Sequence, residues 1–273
     1  MKNLITRALT GIIFVAVIAG GVYIHPYTFL GLFVLIVGLT LWEFYGFVNN
    51  NIRPVHKITG ILSGMYLFAA SFFYAGGYVP SNVFLPYLFF LLLMLITGLY
   101  HKSENSVNDW AIGLFAQFYC AGLFSLLNFI AFSPDYSYNP HYVLLIFIFV
   151  WLNDTGAYLV GSTMGKHRLF PRISPLKSWE GFWGGLIVTI AASQLIAWCF
   201  PGDLMWYDWL FISILVVLFG TWGDLVESLM KRTYGVKDSG RLLPGHGGIQ
   251  DRLDSVMLAT PAVFLYMEFF IRN

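Results

Sequence analysis

The chain is predicted to be an all-α polytopic membrane protein with about nine transmembrane helices and a cytoplasmic amino terminus. Three observations predict this. Of 273 residues, 58% are hydrophobic and only 11% charged, whereas soluble domains average about a quarter charged. Apolar runs long enough to cross about 30 Å of hydrocarbon, which takes about 20 residues each, recur along the whole length. Lysine and arginine also alternate by side: with the amino terminus in the cytoplasm, 14 of the 15 fall on that side and only Arg272 on the other. Such a bias sets orientation, and one helix too many or too few would scramble it downstream. The net charge of +1 hides the asymmetry.

The expected spans are 8–24, 28–48, 58–76, 82–100, 110–132, 143–160, 181–200, 209–230 and 253–271. Together they leave no room for a separate soluble domain. The first has a short basic start and an apolar run but a poor cleavage site, so it reads as a signal anchor. The second contains Glu43, the one acid inside a span in the amino-terminal half. Intramembrane acids are functional suspects, but this one lies near a span end and could instead reach water. Cys120 and Cys199 both fall in apolar spans and read as buried thiols, not as a disulfide or metal site. Gly181 and Gly185 stand four apart, a spacing that allows close helix packing.

Information is uneven along the chain. Residues 1–142 are spans joined by short loops. Residues 143–273 carry both long cytoplasmic loops, 161–180 and 231–252, and most of the polar chemistry. Near the end of the eighth span, Asp224, Glu227, Ser228 and Lys231 recur at i, i+3, i+4 and i+7, which places them on one helical stripe. Asp224 would lie roughly 10 Å below the end of that helix at 1.5 Å per residue. The ninth span opens with Asp251 and Asp254 at i, i+3. The short return loop makes the two spans antiparallel neighbours, so four carboxylates could face one another. Hard oxygen donors suit Mg²⁺, and a pair of ions can clamp both oxygens of an in-line phosphoryl displacement. Interhelical ion pairing, for example Asp251 with Lys231, is the plainer reading of any single acid.

The loop between these spans supplies cations in Lys231, Arg232, Lys237, Arg241 and Arg252, while Gly245, Gly247 and Gly248 could present backbone N–H groups to an anion. His246 either hydrogen-bonds a phosphate or orders the turn. The basic cluster could also be a topology signal or contact anionic lipid. In loop 161–180, Ser174 followed by Pro175 resembles a helix start. Lys177 would then lie at a helix amino terminus, a natural phosphate site, with Glu180 on the same face. Asp154, inside the sixth span, is either a further ligand or polar glue between helices.

The run from Ser228 to Asp254 resembles the motif of phosphatidate cytidylyltransferases. It is carried by Ser228, Lys231, Arg232, Lys237, Asp238, Gly240, Pro244, His246, Gly247, Gly248, Asp251, Arg252 and Asp254. The upstream Asp154, Ala157 and Tyr158, and the stretch Ser174 to Gly181, match what that family shows before its main motif. The resemblance covers about 150–255. It implies transfer of CMP from CTP to phosphatidic acid, giving CDP-diacylglycerol and pyrophosphate in phospholipid biosynthesis. It further implies a Mg²⁺ requirement, met by two divalent or mixed metal ions. Asp224 and Asp251 would be the metal ligands, with Glu227, Asp254 and Asp154 as further candidates. Ser228, Lys231 and Asp254 would join the catalytic set, and Lys177, Ser174, Arg232, Lys237, Arg241, His246, Gly247, Gly248 and Arg252 would bind CTP or the lipid phosphate.

On that reading, residues 143–273 are the catalytic helices, and residues 1–142 are a scaffold contributing to a dimer contact or lipid groove. The protein would be a homodimer in the cell membrane with its site facing the cytoplasm. Its partners would be CTP, phosphatidic acid and membrane lipids, with no nucleic acid. The alternatives are a secondary transporter, which usually has midplane acids and inverted repeats, or a related nucleotidyl- or phospho-transferase acting on another lipid.

Overall fold

The computed structural model describes residues 2–48, 54–100, 106–199, 204–243, 245 and 247–272. Among these, eight helices are long and apolar enough to cross a bilayer, and the apolar stretch Leu9–Tyr23 adds a shorter one at the start. The order is α1 (Lys2–Tyr23), α2 (Pro26–Val48), α3 (Pro54–Ala75), α4 (Leu85–Leu99), α5 (Ser106–Ala116), α6 (Leu123–Ala131), α7 (Pro140–Met164), α8 (Trp179–Cys199), α9 (Trp206–Thr233) and α10 (Asp254–Tyr266). A π-helical turn over Gln117–Gly122 joins α5 to α6, so that the two form one span, Ser106–Ala131. This is an all-α polytopic membrane protein. Exposed leucine, isoleucine and aromatic side chains on the helices suit lipid contact, because backbone hydrogen bonds are satisfied within each helix.

The chain forms two compact units. The first is Met1–Val143 with Tyr234–Leu253; the second is Leu144–Thr233 with Asp254–Asn273. In the first, Phe29, Phe33, Phe68, Phe72 and Phe124 are fully buried, with ring centroids 5.7 Å apart for the stacked pair Phe33 and Phe68. Polar side chains lock this apolar packing in register. Gln117, at the π turn, donates to Gly60 O at 2.7 Å and Tyr45 OH at 3.2 Å, and accepts from Ser63 Oγ at 2.9 Å. Asn128 donates to Ser71 Oγ at 2.8 Å and Phe68 O at 3.1 Å. Such side-chain bonds between helices take the place of the hydrophobic drive that lipid tails cannot supply. Cys120 is buried here as expected, whereas Cys199, the last residue of α8, is exposed.

In the second unit, α9 and α10 form the most extensive helix pair. They are antiparallel: Tyr266 OH donates to Asp208 Oδ1 at 2.8 Å near one end, and Gly223 faces the backbone of Asp254 near the other. At 28 residues, α9 is about 42 Å long at 1.5 Å per residue. That exceeds the hydrocarbon thickness, so its charged last turns have room beyond it. Helices α7 and α8 approach through glycine, as the spacing of Gly181 and Gly185 suggested. A Cβ on Gly156 would meet Gly185 Cα at 3.1 Å, and one on Gly181 would meet Ala157 O at 2.8 Å.

One expectation fails locally. Ser174 and Pro175 do not start a helix. Ser174–Ser178 is strand β2, paired antiparallel with β1 (Arg168–Phe170). The cap comes four residues later, where Ser178 Oγ accepts from Gly181 N at 3.1 Å and α8 begins at Trp179. A residue preceding proline is biased toward extended backbone, and hairpin pairing uses that bias. Lys177 therefore lies on a strand just ahead of the helix, and Glu180 is not its neighbour on a helical face.

Gly181→Val should force α8 away from the Ala157 carbonyl. The expected cost is about 1–3 kcal/mol of overpacking, read as a lowered thermal unfolding midpoint in detergent relative to Gly31→Val, where a Cβ meets nothing within 4 Å.

Candidate active site

The stripe expected on the eighth span is present on α9, and its side chains interact with one another. Ser228 Oγ donates to Asp224 Oδ1 at 3.1 Å. Lys231 Nζ pairs with Glu227 Oε1 at 3.1 Å, with Glu227 fully buried and Lys231 only 7% exposed. From β2, Lys177 Nζ reaches Asp224 Oδ2 at 2.6 Å, both side chains about 30% exposed. Asp254, buried at the start of α10, lies within electrostatic reach of Asp224, Glu227, Lys231 and Asp154. The second unit thus gathers Asp154, Asp224, Glu227 and Asp254 around two lysines. Four carboxylates against two ammonium groups would leave excess negative charge were all of them ionised, and a low-dielectric setting relieves it through further cations, water or protonation of a buried acid.

A cleft of about 490 Å³ opens beside this cluster, lined by Asn153, Asp154, Tyr158, Arg168, Lys177 and Thr221 among others. Its wall is the β1–β2 hairpin, which Glu180 holds down by accepting from Lys166 N at 3.1 Å and from His167 N at 3.1 and 3.2 Å. Asp154 is exposed on α7 and lines the cleft. Ser174 lies on β2, at the far end of the hairpin from Lys177's neighbour Ser178. Arg232 lies in the last turn of α9, exposed.

The remaining expected residues fall in the first unit, where the loop Tyr234–Leu253 is packed. Asp251 is not on the helix with Asp254. It sits in a 3₁₀ turn, Gln250–Arg252, before α10 begins. Its carboxylate folds back to accept Ser239 N at 2.9 Å and Gly248 N at 2.8 Å. The Gly248 amide, expected to cradle an anion, is therefore committed to Asp251. Gly245 and Gly247 have positive φ, 74° and 83°, a conformation glycine adopts without strain. Lys237, Arg241 and Arg252 are exposed, and Arg241 lines a second cleft of about 480 Å³ with Trp42, Glu43 and Ser239. His246 and Pro244 lie outside the described residues.

Glu43 is the residue whose role the sequence left most open. It is largely buried, 6% exposed, at the edge of that second cleft. Its Oε1 accepts Ile249 N at 3.0 Å, and its Oε2 accepts Gln250 N and Ser239 Oγ, each at 3.0 Å. The only hint in the sequence was an acid inside a span.

A hard divalent cation fits the second unit in donor type and in charge. Among the described residues, however, no three acidic, histidine or cysteine side chains form a ready cage for it.

A family model described as the cytidylyltransferase family matches residues 5–270. The phosphatidate cytidylyltransferase of Staphylococcus haemolyticus is 39% identical over 215 residues, covering 78% of this chain and 81% of its own length. That of Staphylococcus saprophyticus is 35% identical over 261 residues, 93% of this chain and 95% of its own. The Staphylococcus epidermidis enzyme of the same name is 36% identical over 263 residues, with the same coverages.

Glu227→Gln would leave the Lys231 ammonium buried beside a neutral amide. The expected loss is about 3–5 kcal/mol, the usual result of removing one partner from a buried pair. The double substitution Glu227→Gln with Lys231→Met should recover much of it, and thermal unfolding of the four proteins in one detergent measures the coupling.

Proposed function

Because this chain belongs to the cytidylyltransferase family and is a nucleotidyltransferase, we propose that it moves CMP from CTP onto phosphatidic acid, releasing pyrophosphate and forming CDP-diacylglycerol. The observation that carries this reading is the Lys177–Asp224–Ser228 chain of contacts beside a cleft lined by Asp154, Arg168 and Lys177. It sits in a protein whose relatives, named for that reaction, align over nearly all of it.

The chemistry asks little of a general base. A phosphatidate oxygen is already anionic near neutral pH. It attacks the CTP α-phosphorus, a new P–O bond forms, and the bond to the β-phosphate oxygen breaks as pyrophosphate departs. What remains is positioning and charge neutralisation. Lys177 and Arg168, which line the cleft, and Arg232 at the end of α9 are suited to bind phosphate oxygens. Ser228 orients the Asp224 carboxylate. Lys231, paired with Glu227, sets the potential under the acids. Lys237, Arg241 and Arg252, exposed on the loop, are suited to draw anionic substrate, as His246 would be. Asp224 and Asp251 are the proposed Mg²⁺ ligands, an assignment resting on the family resemblance. The bound ion would neutralise polyphosphate charge and polarise the phosphoryl oxygens. The basic bias of the loops favours a cytoplasmic site in the cell membrane, and the resemblance favours a homodimer.

Purified protein given labelled CTP should release pyrophosphate only when phosphatidate is added. Release with an isoprenoid alcohol or an ether lipid in its place would redirect the reading to another acceptor, and no release with any lipid would end it. Asp224→Asn and Asp251→Asn should each lower Mg²⁺-dependent turnover on the order of 100-fold, the scale of losing one preorganised electrostatic group. Undiminished turnover in either would remove that residue from the metal role.

A further inference from the structure

Glu43 and Asp251 are joined through Ser239. The Ser239 hydroxyl donates to Glu43 Oε2 at 3.0 Å, while its backbone N–H donates to Asp251 Oδ2 at 2.9 Å. The two residues just before Asp251, Ile249 and Gln250, both give their N–H groups to Glu43. Asp251 in turn takes the Gly248 N–H. One carboxylate on α2 therefore holds both Ser239 and the start of the turn that presents the other, across more than 190 residues of sequence. Glycine placement agrees with this. A Cβ at Gly240 or Gly248 would collide with the Glu43 carboxylate, so the loop closes around an acid and not merely over a helix.

We propose that Glu43 is a positioning residue for Asp251 in nucleotidyl transfer, holding the Ser239 and Gly248–Gln250 backbone so that the Asp251 carboxylate keeps one orientation. A span-embedded carboxylate is costly. The three donors offset that cost here, and all three belong to the motif loop. Packing alone would be served by an apolar side chain. The inference rests on the reading that Asp251 takes part in CTP turnover.

The test uses the full-length protein in detergent, with Glu43→Gln, Glu43→Asp and Ser239→Ala compared to the parent. Amide hydrogen exchange without added metal should quicken at Ser239 and across Gly248–Asp251 in Glu43→Gln, while α9 keeps its protection. Turnover number should fall on the order of 10–100-fold, the usual range for groups that orient a ligating residue, with KM for phosphatidate unchanged and more Mg²⁺ needed for half-maximal rate. Glu43→Asp, which keeps the charge, should recover part of the loss. Unchanged exchange in Glu43→Gln overturns the clamp. Faster exchange with unchanged turnover and Mg²⁺ dependence overturns the positioning role and leaves Glu43 as a packing residue. Should Glu43→Gln not fold, Ser239→Ala, which keeps both amide bonds to Glu43, is decided by the same comparison. If the parent protein consumes no CTP with any lipid, the transferase reading fails, and exchange at Ser239 and Gly248 still decides whether Glu43 orders the turn.

Discussion

A carboxylate among apolar helices persists only where cations or hydrogen-bond donors surround it, and this constraint organises both units of the protein. In the second unit the solution is lysine: Lys177 for Asp224 and Lys231 for Glu227. In the first it is backbone and hydroxyl: Ser239, Ile249 and Gln250 for Glu43. The two solutions differ in consequence. An ion pair on a partly exposed acid can be exchanged for another cation. Amide donors on a buried acid hold a loop in place.

Helix positions were largely legible because a membrane span writes itself as length and composition. The second expected span, 28–48, matches Pro26–Val48, and the eighth, 209–230, lies within Trp206–Thr233. The stripe Asp224, Glu227, Ser228 and Lys231 was legible for the same reason: 3.6-residue periodicity fixes which side chains can touch along α9. Where periodicity ends, the reading weakened. Ser174 and Pro175 carry a helix-start signature, yet hairpin pairing with Arg168–Phe170 won, because a tertiary partner overrides a local preference. Asp251 and Asp254 have helical spacing, but Asp251 lies in a 3₁₀ turn and only Asp254 belongs to α10.

Glu43 marks the limit from the other side. Its partners lie near residues 239 and 249–250, and no local pattern links an acid on the second helix to amides so far along the chain. Gly248 was read as part of an anion-facing turn, and Gly240 only as a position of the motif. In the folded protein they make room for a side chain. The residues of the motif were thus visible in sequence, whereas the reason for two of its glycines was not.

The hairpin of β1 and β2 is the one sheet among the described residues, and it has almost no core of its own. Ser178 closes the first turn of α8 with its hydroxyl, and the very next residue toward the amino terminus is Lys177. The reach of that ammonium to α9 is consequently tied to the stability of a helix end. Anything that frays the start of α8 would be felt across the cleft as a displaced positive charge.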